Sequence, residues 1–131
     1  MSGEGNSIVN TYLLSIFQPD GPAPASGRLE TIMSELQLLN EEITASGGFV
    51  FTDGLQPPST ATVVRSFDGG VEIAHGPFRQ GEIHLGGLWI VRSDDRDTVI
   101  RWAGRAATAT GLTVEVRPFH NGRSSEDRSP E

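Results

Sequence analysis

Two stretches of helical periodicity interrupt a series of short apolar and β-branched runs, and this alternation constrains the fold more than any other feature of the chain. In the first stretch Leu29, Ile32, Met33, Leu36, Leu39 and Ile43 recur at steps of three and four, giving one apolar stripe. Glu30, Glu35, Glu41 and Glu42 occupy much of the remaining surface. Ser26 is a candidate N-cap for this helix, and Gly47-Gly48 supplies its stop. In the second stretch Val99, Trp102, Ala103 and Ala106 form the stripe, Ser93-Asp94-Asp95 opens the helix and Gly111 ends it. Around them, residues 12–17, 49–51, 60–67, 71–74, 85–91 and 112–116 read as strands. Asp68-Gly69-Gly70 is a tight turn that makes the third and fourth runs a hairpin, and Gly86-Gly87 marks a bulge or a close backbone approach.

Strands interleaved with two helices predict an α+β, ferredoxin-like layout: a largely antiparallel sheet with both helices on one face. The other face then lies open. The apolar runs of the first, fifth and last strands place hydrophobic residues there, so a homodimer is expected to cover it.

At 131 residues the chain has room for one domain. That domain is expected over residues 11–119. Residues 1–10 and 120–131 are polar and Gly/Ser-rich or free of hydrophobic residues, and are expected to be flexible tails. The body between them carries 13 acids and 8 arginines, so the formal net charge of −7 belongs mainly to the domain. That sign opposes attraction to nucleic acid or to an anionic membrane surface. The N-terminal stretch has no basic region before an apolar run, and no apolar run approaches the roughly 20 residues of a spanning helix. A soluble, cytoplasmic protein is expected.

The composition removes several chemistries. All ten basic residues are arginine, so a Schiff-base or phosphate-binding lysine is excluded. With no cysteine there are no disulfides, thiolate nucleophiles or cysteine-ligated metals. Nucleophile-elbow, dinucleotide-binding, zinc-protease and P-loop signatures are all missing. No cofactor is implied.

Three histidines remain, of which His120 falls in the C-terminal tail. His75 stands just past a strand and is followed by Gly76-Pro77-Phe78; His84 follows nine positions after it. Proline partly fixes the backbone at such a turn, and fixed placement of a titratable ring is what acid–base work needs. The structural alternative is a Gly-Pro turn that His75 merely caps. A metal held by His75, His84 and Glu72 or Glu82 lacks the paired helical spacing of a ligand set, and no metal site is assigned. Arg65 can clamp a carboxylate or form an ordinary ion pair across the hairpin. Trp89 and Trp102 read as core residues.

Five stretches taken together carry a family resemblance: Tyr12-Leu13-Leu14, the run from Leu55-Gln56-Pro57-Pro58 to Val63-Val64-Arg65, His75-Gly76-Pro77-Phe78, Leu85-Gly86-Gly87-Leu88-Trp89-Ile90, and Val114-Glu115-Val116-Arg117-Pro118. In order and spacing they resemble the YCII-related, or DGPF-motif, family over nearly all of residues 11–119. The resemblance implies a dimeric α+β barrel with a pocket between the helix and sheet layers. It also implies a mostly bacterial group of unknown function. Some relatives in the wider superfamily are lyase-like, with a His/Asp pair suggested as catalytic; others are associated with extracytoplasmic sigma factors. Here His75 replaces the Asp that opens the motif, and Gln80, Glu82 and Ile83 stand where the family usually carries Glu and a Lys-Glu pair. His75 and His84 are the candidate catalytic residues, with Tyr12, Arg65, Gly76, Pro77, Phe78 and Trp89 as candidate ligand contacts. Two functions follow: a small-molecule enzyme using histidine acid–base chemistry, or a non-catalytic regulatory module that meets a sigma-factor-related protein.

Overall fold

The computed structural model describes residues 8–22 and 24–121. Residues 1–7 and 122–131, which hold most of the two expected tails, lie outside the described residues. The elements run β1 (Asn10–Pro19), α1 (Ser26–Ala45), β2 (Phe49–Gly54), β3 (Thr62–Phe67), β4 (Gly70–His75), β5 (Ile83–Ser93), α2 (Arg96–Thr110) and β6 (Thr113–Pro118), with a 3-10 turn at Pro58–Thr60 before β3.

Four strands form one sheet in the order β2-β5-β1-β6, every neighbouring pair antiparallel. This is a βαββαβ chain in which each helix crosses over one intervening strand. Both helices pack on the same face. The hairpin β3–β4 is inserted between β2 and β5 and forms a second, two-stranded sheet by itself. That separation was not visible in the sequence, where the hairpin reads as two more strands of one sheet.

Alternation along β1 builds the core. Tyr12, Leu14 and Ile16 turn toward the helices, and Leu14 lies opposite Trp89 on β5 and Val116 on β6. Val91, Leu39, Ile43 and the α2 stripe of Val99, Trp102, Ala103 and Ala106 complete the cluster, the stripe as the spacing predicts. Glu42 on α1 ties the helices together, accepting from the Trp102 indole N–H at 3.3 Å and from the Arg105 guanidinium.

The helix ends differ from expectation at the first helix. Ser26 is the first helical residue; Ala25 is the N-cap and makes no side-chain capping bond. At α2 the cap is Asp95, whose carboxylate accepts from the Asp97 N–H at 3.2 Å and the Thr98 hydroxyl at 2.8 Å. Gly111 ends that helix with φ +74, a left-handed conformation natural to glycine. On α1, Leu29 and Met33 belong to the apolar stripe yet stay exposed, while Ile32 between them is buried; Met33 lines a hollow between the helix and the sheet.

A bulge bends β5. Ile16 pairs with Gly87 and Phe17 with Leu85, which leaves Gly86 unpaired. A Cβ at Gly86 would lie 2.1 Å from Gln18 Oε1, so the missing side chain is the space that Gln18 fills.

The face of the sheet away from the helices is apolar along β1 and β5, as expected, but not along the last strand: β6 turns Val114 and Val116 to the core and sets Thr113, Glu115 and Arg117 on the open face. Leu13, Phe17, Leu88 and Ile90 are partly buried there, with Phe51, Ile83 and Leu85 exposed. Among the described residues no helix is long and apolar enough to cross a membrane.

Candidate active site

Where β1 ends and β5 begins, the ladder pairs Gln18 with His84 and Pro19 with Ile83. The Asp20 N–H then donates to the Glu82 carbonyl at 2.9 Å, extending the pairing past the strand end. In this register Asp20 is the diagonal neighbour of His84, close enough for side chains to meet. They do: His84 Nδ1 lies 2.9 Å from Asp20 Oδ1. The imidazole is well covered, at 19% side-chain exposure, while the carboxylate keeps 62% of its surface in solvent.

The facing wall comes from the other sheet. Pro57 starts a tight turn that accepts from the Thr60 N–H at 2.9 Å and the Thr60 hydroxyl at 2.7 Å. His75 closes β4 opposite Thr62, and the Gly76 N–H donates to the Ala61 carbonyl at 2.7 Å. Gly76 has φ +106, so the reversal into Pro77 requires glycine. Between these walls lies a hollow of about 510 Å³ that His75, His84, Asp20, Pro58, Gly76 and Arg79 help to line.

The two candidate catalytic histidines are therefore brought together, with Gly76 and Pro77 beside them. Other residues singled out from sequence go elsewhere. Trp89 lines a separate hollow of about 580 Å³ between α1 and the sheet, with Ile16, Met33 and Leu36, and its indole N–H donates to Asn40 Oδ1 at 2.8 Å. That hollow has the place the family resemblance implies for a pocket, but neither histidine lines it. Arg65 and Phe78 line a third, of about 210 Å³, with Pro77 and Glu72. Arg65 is held by Glu72 at 2.5 Å, the ordinary cross-hairpin pair. Tyr12 is buried in the core and lines none of these three hollows. Among the described residues no group of three or more His, Asp or Glu side chains is placed to hold a metal.

Sequence reasoning missed Asp20, and it placed Arg79 only in a loop, Arg79-Gln80-Gly81-Glu82, expected to fold over the pocket, three of whose residues do line the hollow. Asp20 reads as part of a Pro/Gly loop over residues 18–27, of which Gln18 and Pro19 in fact extend β1, and only pairing across 64 residues reveals its partner. Arg79 sits in a turn with no local pattern.

Chemically, a carboxylate accepting from Nδ1–H fixes the ring's orientation and leaves the lone pair of the neutral imidazole on Nε2. A second imidazole and a guanidinium line the same hollow, so the site offers a base, a second proton carrier and a fixed positive charge.

No family model matches the chain, and no curated protein matches it. Among solved structures, the divalent ion tolerance protein CutA1 from Ehrlichia chaffeensis is similar at 12% identity and a TM-score of 0.39, over 89% of this chain and 87% of that one. A likeness that slight carries no argument about the site.

Proposed function

We propose that this chain is a YCII-related domain that binds a small anionic molecule in the His75–His84–Asp20 hollow and acts on it by histidine acid–base chemistry. One observation carries the reading: the 2.9 Å contact between His84 and Asp20 sits in a hollow also lined by His75 and Arg79. Arg79 supplies the charge that holds a carboxylate. His84 takes a proton through Nε2, and Asp20 stabilises the imidazolium that results. His75 gives a proton to the leaving group, or back to the carbon that lost one, which is the lyase-like proton shuffle that the family resemblance implies. The open apolar face of the main sheet supports the second part of the reading, a homodimer of the α+β barrel type.

The test is hydrogen–deuterium exchange at carbon. A panel of small 2-hydroxy, 2-oxo and dicarboxylic acids is incubated with the protein in D2O, and loss of the C–H signal adjacent to the carboxylate or carbonyl is followed by NMR. At least one acid should exchange, and His84→Ala should slow that exchange by about 10²–10⁴-fold, the usual worth of a positioned general base. Exchange that persists unchanged in His84→Ala, or no exchange with any acid, removes the catalytic reading.

A further inference from the structure

Three segments of the chain run from the hollow between α1 and the sheet into the hollow at the histidines. β1 gives Gln18 to the first and, two positions on, Asp20 to the second. β5 gives Gly86 and His84 in the same way, and β2 ends in Gly54 at the first with Pro57 following at the second. Gln18 lies directly opposite His84 in the ladder, so their side chains share one face of the sheet, the face toward which Ile16 turns. Two residues of strand span about 7 Å, the length of a chain of about six carbons. The Gln18 side chain stands at the boundary. Its amide rests over the bulge at Gly86, in the space a Cβ would fill, and has no hydrogen-bond partner among the described residues.

We propose that the two hollows form one bipartite site parted by the Gln18 side chain, and that its substrate is a monocarboxylate carrying a long, uncharged, largely apolar chain. The inference rests on the acid–base reading of the histidine hollow, which takes the carboxylate and the carbon beside it. The chain then passes Gln18 into the hollow under α1. Moving Gln18 aside breaks no hydrogen bond, and the bulge glycine leaves it room to turn.

Charge selects the class of chain. In the histidine hollow Arg79 supplies a fixed cation for one carboxylate. In the hollow under α1 the ionisable side chain is Asp53, whose carboxylate accepts from the Gly54 N–H at 2.8 Å. A second carboxylate reaching that far meets a like charge, which disfavours a long dicarboxylate. Ile16, Met33, Leu36, Trp89 and Leu112 give the same hollow apolar walls, and its volume of about 580 Å³ suits a small-molecule chain. Met33 keeps 58% of its surface exposed, and its flexible thioether can settle on chains of different shape.

The experiment titrates the full chain with acetate, butanoate, octanoate and octanedioate, following the His75 and His84 ring resonances and the Trp89 indole N–H by NMR. Acetate and butanoate should move the histidines alone. Octanoate should move the histidines and Trp89 along one saturation curve. It should bind at least about tenfold more tightly than butanoate, since each buried methylene is worth up to about fourfold. Octanedioate should leave Trp89 unmoved. Met33→Glu, a change at an exposed position, should abolish the octanoate gain and keep acetate binding. Gln18→Ala should bind octanoate at least as tightly as the parent. The inference is overturned by octanoate binding no tighter than butanoate, by Trp89 and histidine shifts that saturate separately, or by octanedioate moving Trp89 as octanoate does. A tenfold gain that survives Met33→Glu, or weaker octanoate binding by Gln18→Ala, overturns it as well. Should Met33→Glu fail to fold, the four acids on the parent decide by themselves. Failure of the catalytic reading is separate, since it appears as absent carbon exchange in a parent whose octanoate shifts are as expected.

Discussion

The imidazole of His84 and the carboxylate of Asp20 stand 2.9 Å apart across the end of the β1–β5 ladder, although 64 residues separate them in the chain. The contact depends on register. A slip of one residue would turn one of the two side chains to the opposite face of the sheet. The same pairing sets the core, through Leu14 opposite Trp89, so the fold holds the dyad in place.

Asp20→Asn separates a structural pair from a functional one. Because the carboxylate is mostly in solvent, its loss should cost less than about 1 kcal/mol of stability, read as a nearly unchanged thermal melt. Carbon exchange in the hollow should fall by about 10²-fold or more, since an amide cannot stabilise the imidazolium as a carboxylate does. An unchanged exchange rate would make the contact a surface ion pair and nothing more.

Helix α1 gives a test of packing. Leu39 is 2% exposed and Leu38 54% exposed, so neighbouring leucines face the core and the solvent. Leu39→Ala should lose about 2–5 kcal/mol in denaturant unfolding, and Leu38→Ala about 0.5 kcal/mol or less. Similar losses at the two positions would mean that the helix is rotated from the phase described.

The helices and the six strands were legible in the sequence because periodicity and Gly/Asp turn chemistry act locally. The α2 stripe of Val99, Trp102, Ala103 and Ala106 shows it: each is buried as its spacing requires. Gly86-Gly87 also spoke locally, and the bulge is there. What could not be read depends on pairing at a distance. Asp20 gained its role from β5, and the detachment of β3–β4 from the main sheet has no sequence signal; the Arg65–Glu72 pair, by contrast, is the cross-hairpin ion pair that the sequence offered. Met33 shows the limit of periodicity: it lies on the correct face of α1, but the space beneath it is a hollow.

Two glycines that look alike should respond differently to a methyl group. At Gly48 an added Cβ would lie 2.3 Å from the Arg92 carbonyl oxygen, a backbone atom of the residue whose N–H donates to the Gly48 carbonyl at 2.7 Å. At Gly86 it meets the end of the Gln18 side chain, which can swing away. Gly48→Ala should cost about 1–3 kcal/mol, the usual range for overpacking, and Gly86→Ala clearly less. Equal costs, measured by urea unfolding, would show that Gln18 is fixed in place.

The most direct test of the central claim, that ligand binds where the histidines meet, is a chemical-shift titration of the intact chain with small carboxylates such as malonate and succinate. The expected result is saturable movement of the His75 and His84 ring resonances, lost in His75→Ala, with the Trp89 indole N–H unmoved. The contrary result is a shift confined to Trp89, which would place binding in the hollow between α1 and the sheet and leave the two histidines as turn and strand residues.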